Sequence, residues 1–319
     1  MTERPGVGRW VARLGGDGPR ERTLFTSSLV VVGEFVCDEG GLGWNHDART
    51  GPWHLVVFPG PSVVIRQEGR SAVVANRNTA VLYEPGQGYR REPLEGRGDH
   101  CIPVGAPTGV LAEIAAEAGF RASDQEGFTF PSAIGPVGPE AFLLQRRIAR
   151  YLLDEATPDP LLLEEASLKV LGSVVKRAFE VHDRRRRPPR RARTRAGHER
   201  AVADAAAFLT KRFAEPTPLA EVARAVHVSP FHLARVFRAE TGYTLHAYRH
   251  HLRLRHAAER LFADRLDLVQ VAAETGFASH AHLTDSFRRA FGRPPSAIRS
   301  ANAVAEVRRI LEAALGPDA

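Results

Sequence analysis

The sequence predicts an α+β chain of two domains, a β-rich front and an all-helical back. Three observations carry this expectation. Between Leu24 and about Gly105, short runs rich in β-branched residues stand between Gly, Pro and Asn. From Val110 onward, apolar residues recur at helical spacing instead. Further along, the stretch VSPFHLARVFRAETG, Val228 to Gly242, is followed by a second version of itself, FASHAHLTDSFRRAFG, Phe277 to Gly292.

A chain of 319 residues is long enough for two cores. Its hydrophobic fraction is 43% and its charged fraction 25%, which suits a globular protein. No apolar run approaches the ~20 residues that span a bilayer. The opening MTERPGVGRWVARLGGDG lacks the apolar block of a secretory signal, so the expected location is the cytoplasm, with no membrane partner. Cys37 and Cys101 fit a reducing compartment rather than a disulfide framework. The net charge of +7 is uneven: −4 over residues 1–182, +7 over 183–197 and +4 over 198–319. A polyanion would therefore meet the back half. A solvated tether accounts for the arginine run equally well, since only three lysines occur in the chain and arginine is its general cation.

In chain order, residues 1–23 are polar and rich in Gly and Arg, and read as disordered. SLVVVGEFVC, HLVVFPG, SVVIRQEG, AVVANRN and TAVLYEPGQGYRR then read as strands joined by hairpins, a small barrel or sandwich. GVLAEIAAEAGF is a short helix. PEAFLLQRRIARYLLDEA and LLLEEASLKVLGSVVKRAFEVHD form a helical hairpin, separated by Pro158 and Pro160. In its second helix Leu162, Leu163, Ala166, Val170, Leu171, Val174 and Val175 make a wide apolar stripe, which points to partial use in a homodimer, with ordinary core close behind. The first domain thus runs over 24–182. Residues 183–197 form an Arg-rich linker that Pro188 and Pro189 keep from being helical. A helical domain follows over 198–300, and a helical tail over 301–319.

LAEVARAV places Leu219, Val222, Ala223 and Val226 on one face. After the tight turn at HVS, Ser229 is an N-cap and Pro230 takes the first helical position. Leu233, Val236 and Phe237 face the first helix, and Gly242 closes the second in a left-handed cap. Two helices joined by so short a turn, with small Ala223 at their crossing, make helix-turn-helix geometry. Leu219, Val222, Ala223 and Val228 recur as Leu268, Val271, Ala272 and Phe277, at an offset of 49. Past the turn, Ser229, Leu233, Phe237 and Gly242 recur as Ser279, Leu283, Phe287 and Gly292, at an offset of 50. The second turn has one extra residue, and Gly276 suits a bend there. TLHAYRHHLRLRHAAERLFAD is a long joining helix, with Tyr248, Leu252, Leu254, Ala257, Ala258, Leu261 and Phe262 on its buried faces.

From Glu199 to Arg299, about a third of the chain, this pattern resembles the DNA-binding domain of the AraC/XylS family. Gly276-Phe277, Phe287, Gly292 and Pro295 fall in that family's register. The N-terminal β region is similar, more weakly, to the cupin-like sensor domains that often precede it. The resemblance implies a transcription regulator, an activator, acting on double-stranded promoter DNA with RNA polymerase, and responding to a small-molecule effector held in the front domain.

One recognition helix reads only a few base pairs in the major groove; two helices in one chain read more if held about one DNA turn, ~34 Å, apart. In the first, Arg235 is the candidate for a bidentate contact to guanine, with Phe231 and His232 as further base contacts. Phe231 is equally open to partial core burial. In the second, His280, His282, Thr284 and Asp285 face outward. The family often has a basic or amide residue where Asp285 stands. An aspartate there repels phosphate and accepts only from a base amino group such as cytosine N4, which makes the second unit the weaker or the more unusual reader. Ser229, Arg238, Arg253, Arg255, Ser279, Arg288, Arg289 and Arg293 are phosphate candidates.

No P-loop or dinucleotide fingerprint is present, and no cofactor is expected. The alternative function is a cupin-type metal-dependent enzyme carrying a DNA-targeting domain. Such a site needs paired histidines one residue apart, whereas His46 and His54 are isolated; His100, Cys101 and Cys37 are a soft-metal trio that reads better as two buried thiols and a surface imidazole. No metal site and no catalytic residue is therefore expected. A barrel of this size holds one small ligand. Trp44, Trp53, Phe58, Arg66, Tyr83 and Tyr89 are candidate lining residues, and alternation leaves open which of them point inward.

Overall fold

The computed structural model describes residues 19–312 apart from 42, 95–97, 121–126, 155–157, 185–191, 264–266 and 301. The chain divides into two compact units, Met1–His182 with Val307–Ala319, and Asp183–Glu306.

The first unit is built on two antiparallel sheets. One orders its strands β1 (Arg20–Thr26), β2 (Val31–Cys37), β9 (Asp99–Ala106), β4 (His54–Phe58), β7 (Thr79–Tyr83) and β10 (Ile134–Pro136). The other runs β3 (Asp47–Arg49), β8 (Gly88–Pro93), β5 (Val63–Gln67) and β6 (Val73–Ala75). Their facing side chains form one core: Phe35, Leu55, Val81 and Cys101 from the first sheet meet Val63, Ile65, Ala75 and Tyr89 from the second. The back of the first sheet is covered by helices. Gln145 in α2 (Pro139–Asp154) donates to the Ile102 carbonyl of β9 at 3.2 Å. Val174 and Ala178 of α3 (Pro160–Arg184) pack over Gly135 of β10. Burial on both faces explains why strand β7, TAVLY, does not alternate: all five of its residues are buried. The second sheet keeps a wet outer face.

Several expectations needed correction. Residues 20–23, read as disordered, belong to β1, which pairs with β2; Arg22 reaches Glu34 across that ladder at 2.8 Å. Strand β9, DHCIPVGA, carries no clear strand signal because Asp, His, Pro and Gly depress it. It nonetheless lies between β2 and β4, with bridge pairs on either side of Pro103 at Val32↔Val104 and Phe35↔Cys101. The wide stripe of α3, read as partly a dimer surface, is spent inside the chain: Leu163, Ala166, Val170, Leu171, Val174 and Val175 are buried. The linker read as non-helical to 197 is helical from Ala192. Its prolines, Pro188 and Pro189, lie outside the described residues.

Helix α1 (Thr108–Glu117) follows β9 directly. The chain's last helix, α11 (Ala303–Glu312), has Val307 and Ile310 buried, and Lys169 of α3 donates to the Ile310 carbonyl at 2.8 Å. The second unit is helical: α4 (Ala192–Lys211), α5 (Leu219–Ala225), α6 (Pro230–Thr241), α7 (Leu245–Ala263), α8 (Leu268–Glu274), α9 (His280–Phe291) and α10 (Pro295–Ser300). Among the described residues, no helix is long and apolar enough to cross a membrane.

Candidate functional site

The two repeated segments fold alike, for the same local reasons. Helices α5 and α8 each have seven residues; α6 and α9 each have twelve. At the turns, Val228 N–H donates to the Ala223 carbonyl (3.1 Å) and Phe277 N–H to the Ala272 carbonyl (2.8 Å). Both turns pass through a left-handed residue, His227 at φ 57° and Gly276 at φ 77°. Ser229 Oγ accepts from His232 N–H at 3.3 Å, and Ser279 Oγ from His282 N–H at 3.1 Å, so each serine answers one of the open donors at its helix start. Gly242 and Gly292 close the helices at φ 76° and 71°. Leu233, Val236 and Phe237, and their counterparts Leu283, Ser286 and Phe287, face inward.

The opposite faces are open. Phe231 is 81% exposed, so its core-burial reading is set aside. Arg235 is exposed, and its guanidinium donates to His232 Nδ1 at 3.5 Å. Sequence reasoning passed over His198 on α4, whose ring lies 5.0 Å from that of His232. Burial, then the charges of His232 and Arg235, hold the His198 imidazole below its ordinary value. On α9, His280, His282 and Asp285 are exposed and Thr284 is half-buried. Asp285 does not stand alone: Arg288 Nη1 lies 3.8 Å from its carboxylate, and Arg289 Nε donates to its backbone carbonyl at 3.4 Å. Arg288 thus sets a positive charge beside this carboxylate. His250 of α7 also joins this face, 6.5 Å from the His282 ring and 5.7 Å from Phe277. The i, i+4 spacing of His246 and His250 was the available signal for it.

Three phosphate candidates are committed elsewhere. Arg253 donates to the carbonyls of Phe213 (2.7 Å), Ala214 (3.0 Å) and Glu215 (3.2 Å), tying down the chain after α4. Arg255 is 1% exposed. Arg293 is half-buried and paired with Glu306. A long side chain beside a helix is as readily spent on packing or on backbone carbonyls as on solvent, and residue type alone does not separate the cases. Arg238, Arg288 and Arg289 remain exposed.

In the first unit a cavity of ≈ 40 Å³ opens between the two sheets. Tyr83 and Tyr89 line it, with ring centroids 4.8 Å apart. Trp44 sits in the adjoining core and donates from Nε1 to the Asp38 carbonyl at 3.0 Å; Trp53 packs against the same cluster. Two candidates are misplaced. Arg66 stands on the outer face, its Nε 2.7 Å from Glu92, because Ile65 and Gln67 on either side of it point in. Phe58 is buried but alternates with Leu55 and Val57, the β4 residues that line the cavity. What the sequence reading missed is Arg91 with Asp99, both buried and both lining the cavity. Alternation from Tyr89 would have turned Arg91 inward. The same alternation splits the soft-metal trio: Cys37 and Cys101 face the core, while exposed His100 pairs with Glu34 at 2.9 Å. Among the described residues, no three His, Cys, Asp or Glu side chains are grouped to hold a metal ion.

A family described as a helix-turn-helix domain matches residues 222–301. The HTH-type transcriptional regulator GlxA of Rhizobium meliloti is 41% identical over 86 residues, 26% of this chain and 26% of that protein. The multiple antibiotic resistance protein MarA of Salmonella typhimurium is 31% identical over 96 residues, 30% of this chain and 76% of MarA. A crystal structure of a transcriptional regulator with an AraC-type DNA-binding domain from Chromobacterium violaceum aligns at 28% identity and a TM-score of 0.32, covering 33% of this chain and 94% of that one. The chain thus covers only about a quarter of GlxA's own length, and the residues matched by the family lie in the second unit. Two serine-capped helices in tandem, in a chain that is 31% identical to MarA over about three quarters of that protein, place the chain in the AraC family of helix-turn-helix transcriptional regulators.

Proposed function

We propose that the chain is a sequence-specific DNA-binding transcription regulator, an activator, that reads promoter DNA with α6 and α9 and works with RNA polymerase in the cytoplasm. The observation that carries this reading is the pair of equivalent helices, each capped by serine and glycine, with unlike outward faces: exposed Phe231 and Arg235 with half-buried His232 on one, exposed His280, His282 and Asp285 with half-buried Thr284 on the other. Unlike faces suit an asymmetric site read in two adjacent segments of major groove. The 19-residue α7 is about 28 Å long at 1.5 Å per residue, a length comparable with one DNA turn. Ser229, Arg238, Ser279, Arg288 and Arg289 supply sequence-neutral phosphate contacts. Arg253, Arg255 and Arg293 do not take part.

The first unit acts as a cupin-like sensor whose effector sits between the sheets and shifts the population of DNA-competent states. Any homodimer uses a surface other than the buried stripe of α3. The metal-enzyme alternative finds no support in the placement of His100 and Cys101 on opposite faces of β9.

The test is footprinting on the DNA beside the protein's own coding region, with Arg235→Ala as the discriminating variant. Base reading predicts a loss of roughly 1–3 kcal/mol on the protected site and little change on random DNA. An equal loss on both assigns Arg235 to phosphate. No protected site on any promoter fragment sinks the regulator reading.

A further inference from the structure

Both helix-turn-helix motifs carry a pair of imidazoles at the same place. His232 and His282 correspond in the repeat, at the offset of 50 that joins Ser229 to Ser279. Each is the third residue of its recognition helix and lies on the outward face, His232 half-buried and His282 exposed. The partner ring comes each time from the helix that precedes the motif. His198 of α4 lies 5.0 Å from His232, and His250 of α7 lies 6.5 Å from His282. Both partners are half-buried rather than sealed. The surroundings are cationic. Arg235 donates to His232 Nδ1 at 3.5 Å, which makes that ring a neutral imidazole with its proton on Nε2. His198 meets His232 and Arg235, with the Glu240 carboxylate opposing them; beside it on α4, Arg195 and Glu199 pair with each other at 3.0 Å. Around His250 stand His246, His251 and Arg253 of its own helix and His282 and Arg289 of α9, with the Phe277 ring at 5.7 Å. Burial and these cations hold His198 and His250 below the ordinary imidazole value, so both rings are neutral near pH 7.

Protonating either ring of a pair in the free chain sets one more positive charge against an arginine, which is unfavourable. A phosphodiester brought to the same face reverses the balance, since it accepts from imidazolium N–H groups and cancels the charge that opposes them. Phosphates wall the major groove, and the first turn of a recognition helix is the part that enters it; His232 and His282 stand in that turn. We infer that each imidazole pair is a seat for a DNA phosphate and takes up a proton from solvent as the duplex binds, so that affinity rises as the medium acidifies. This rests on the reading that α6 and α9 meet DNA, and it adds His198 and His250 to the contact surface. Bound phosphate lifts the imidazoles above their value in the free chain, so the added affinity is present at low pH and is lost as pH rises through the bound value. Arginine contacts stay charged throughout and give no such slope.

The test uses the full chain on two duplexes of equal length, a promoter fragment from beside the coding region and its scrambled sequence. Affinity is measured at constant ionic strength from pH 7.5 to 5.5, and calorimetry in two buffers of different ionisation enthalpy counts the protons taken up. Wild type should bind both duplexes about ten-fold or more tightly at the acid end, the effect of raising one imidazole by about one pH unit, with net proton uptake. His198→Gln and His250→Gln should each remove part of that rise, and the double variant should bring it below about three-fold, while His46→Gln, in the first unit, keeps it whole. His232→Gln and His282→Gln, on the outward faces, stand in for them should either inward ring be needed for folding. A flat pH profile, proton release, or a full rise in the double variant overturns the proton-taking seats even where sequence-specific footprints persist. Proton uptake on both duplexes with no protected promoter site supports the seats and sinks the regulator reading instead. No binding to either duplex at any pH overturns both.

Discussion

Gly276→Ala tests why the second turn differs from the first. His227 and Gly276 occupy the same turn position, and both have positive φ. A non-glycine residue there costs about 1–2 kcal/mol, which the first turn tolerates. The second turn carries an additional constraint. A Cβ on Gly276 would meet the Ala214 carbonyl oxygen at 2.2 Å and the Ala214 Cα at 2.7 Å. Both belong to the backbone, so neither moves aside by rotation. That backbone is also held: Arg253 donates to the carbonyls of Phe213, Ala214 and Glu215, and Arg249 to those of Glu215 and Thr217. Displacing Ala214 by most of an ångström costs at least one charge-assisted hydrogen bond, about 1.5–3 kcal/mol. With the backbone strain, the expected loss is about 3–5 kcal/mol, which lowers the melting temperature by on the order of 10–25 °C. Urea and thermal unfolding of the full chain, followed by far-UV circular dichroism, measure it. His227→Ala is the control, because its Cβ and its positive φ are already accommodated; it should stay within about 1 kcal/mol of the parent. Equal losses from the two substitutions would refute the clash argument and leave backbone strain alone.

Ser229→Ala and Ser279→Ala should each cost about 1 kcal/mol in urea unfolding, and the double variant about twice that, because the two caps share no partner. Arg288→Ala should leave stability within about 0.5 kcal/mol and reduce the slope of log affinity for DNA against log salt by about 1; Arg255→Ala, at a site 1% exposed, should instead lose more than about 2 kcal/mol of stability. The His250 imidazole is held below its ordinary 6.5 by burial first, then by His246, His282, Arg289 and Arg253. The unfolded chain therefore takes up that proton before the folded chain does. Stability is unaffected above about pH 6.5, falls as pH drops from there toward the lower folded value, and levels off beneath it. Unfolding of wild type and His250→Asn across this range checks the sign: the wild-type advantage should shrink as pH falls.

The helix-turn-helix units were legible in the sequence because each of their devices acts over a few residues. Ser229 and Ser279 cap helices that start within three residues of them, Gly242 and Gly292 close helices directly behind them, and helical periodicity marked Leu233, Phe237, Leu283 and Phe287 as inward. The same kind of local rule separates Arg66 from Ile65 on β5 and Arg90 from Arg91 on β8, once the strand is known. Tertiary structure decided the rest. It set β9 between two strands distant in sequence, spent the stripe of α3 on the chain's own core, turned Arg253 onto carbonyls some forty residues earlier, and brought Arg91 and Asp99 into one buried pair. Local pattern reports which backbone conformation and which face each residue favours. The partner across a sheet or between helices is chosen by burial and hydrogen-bond satisfaction summed over segments far apart in the chain, and single residues do not carry that information.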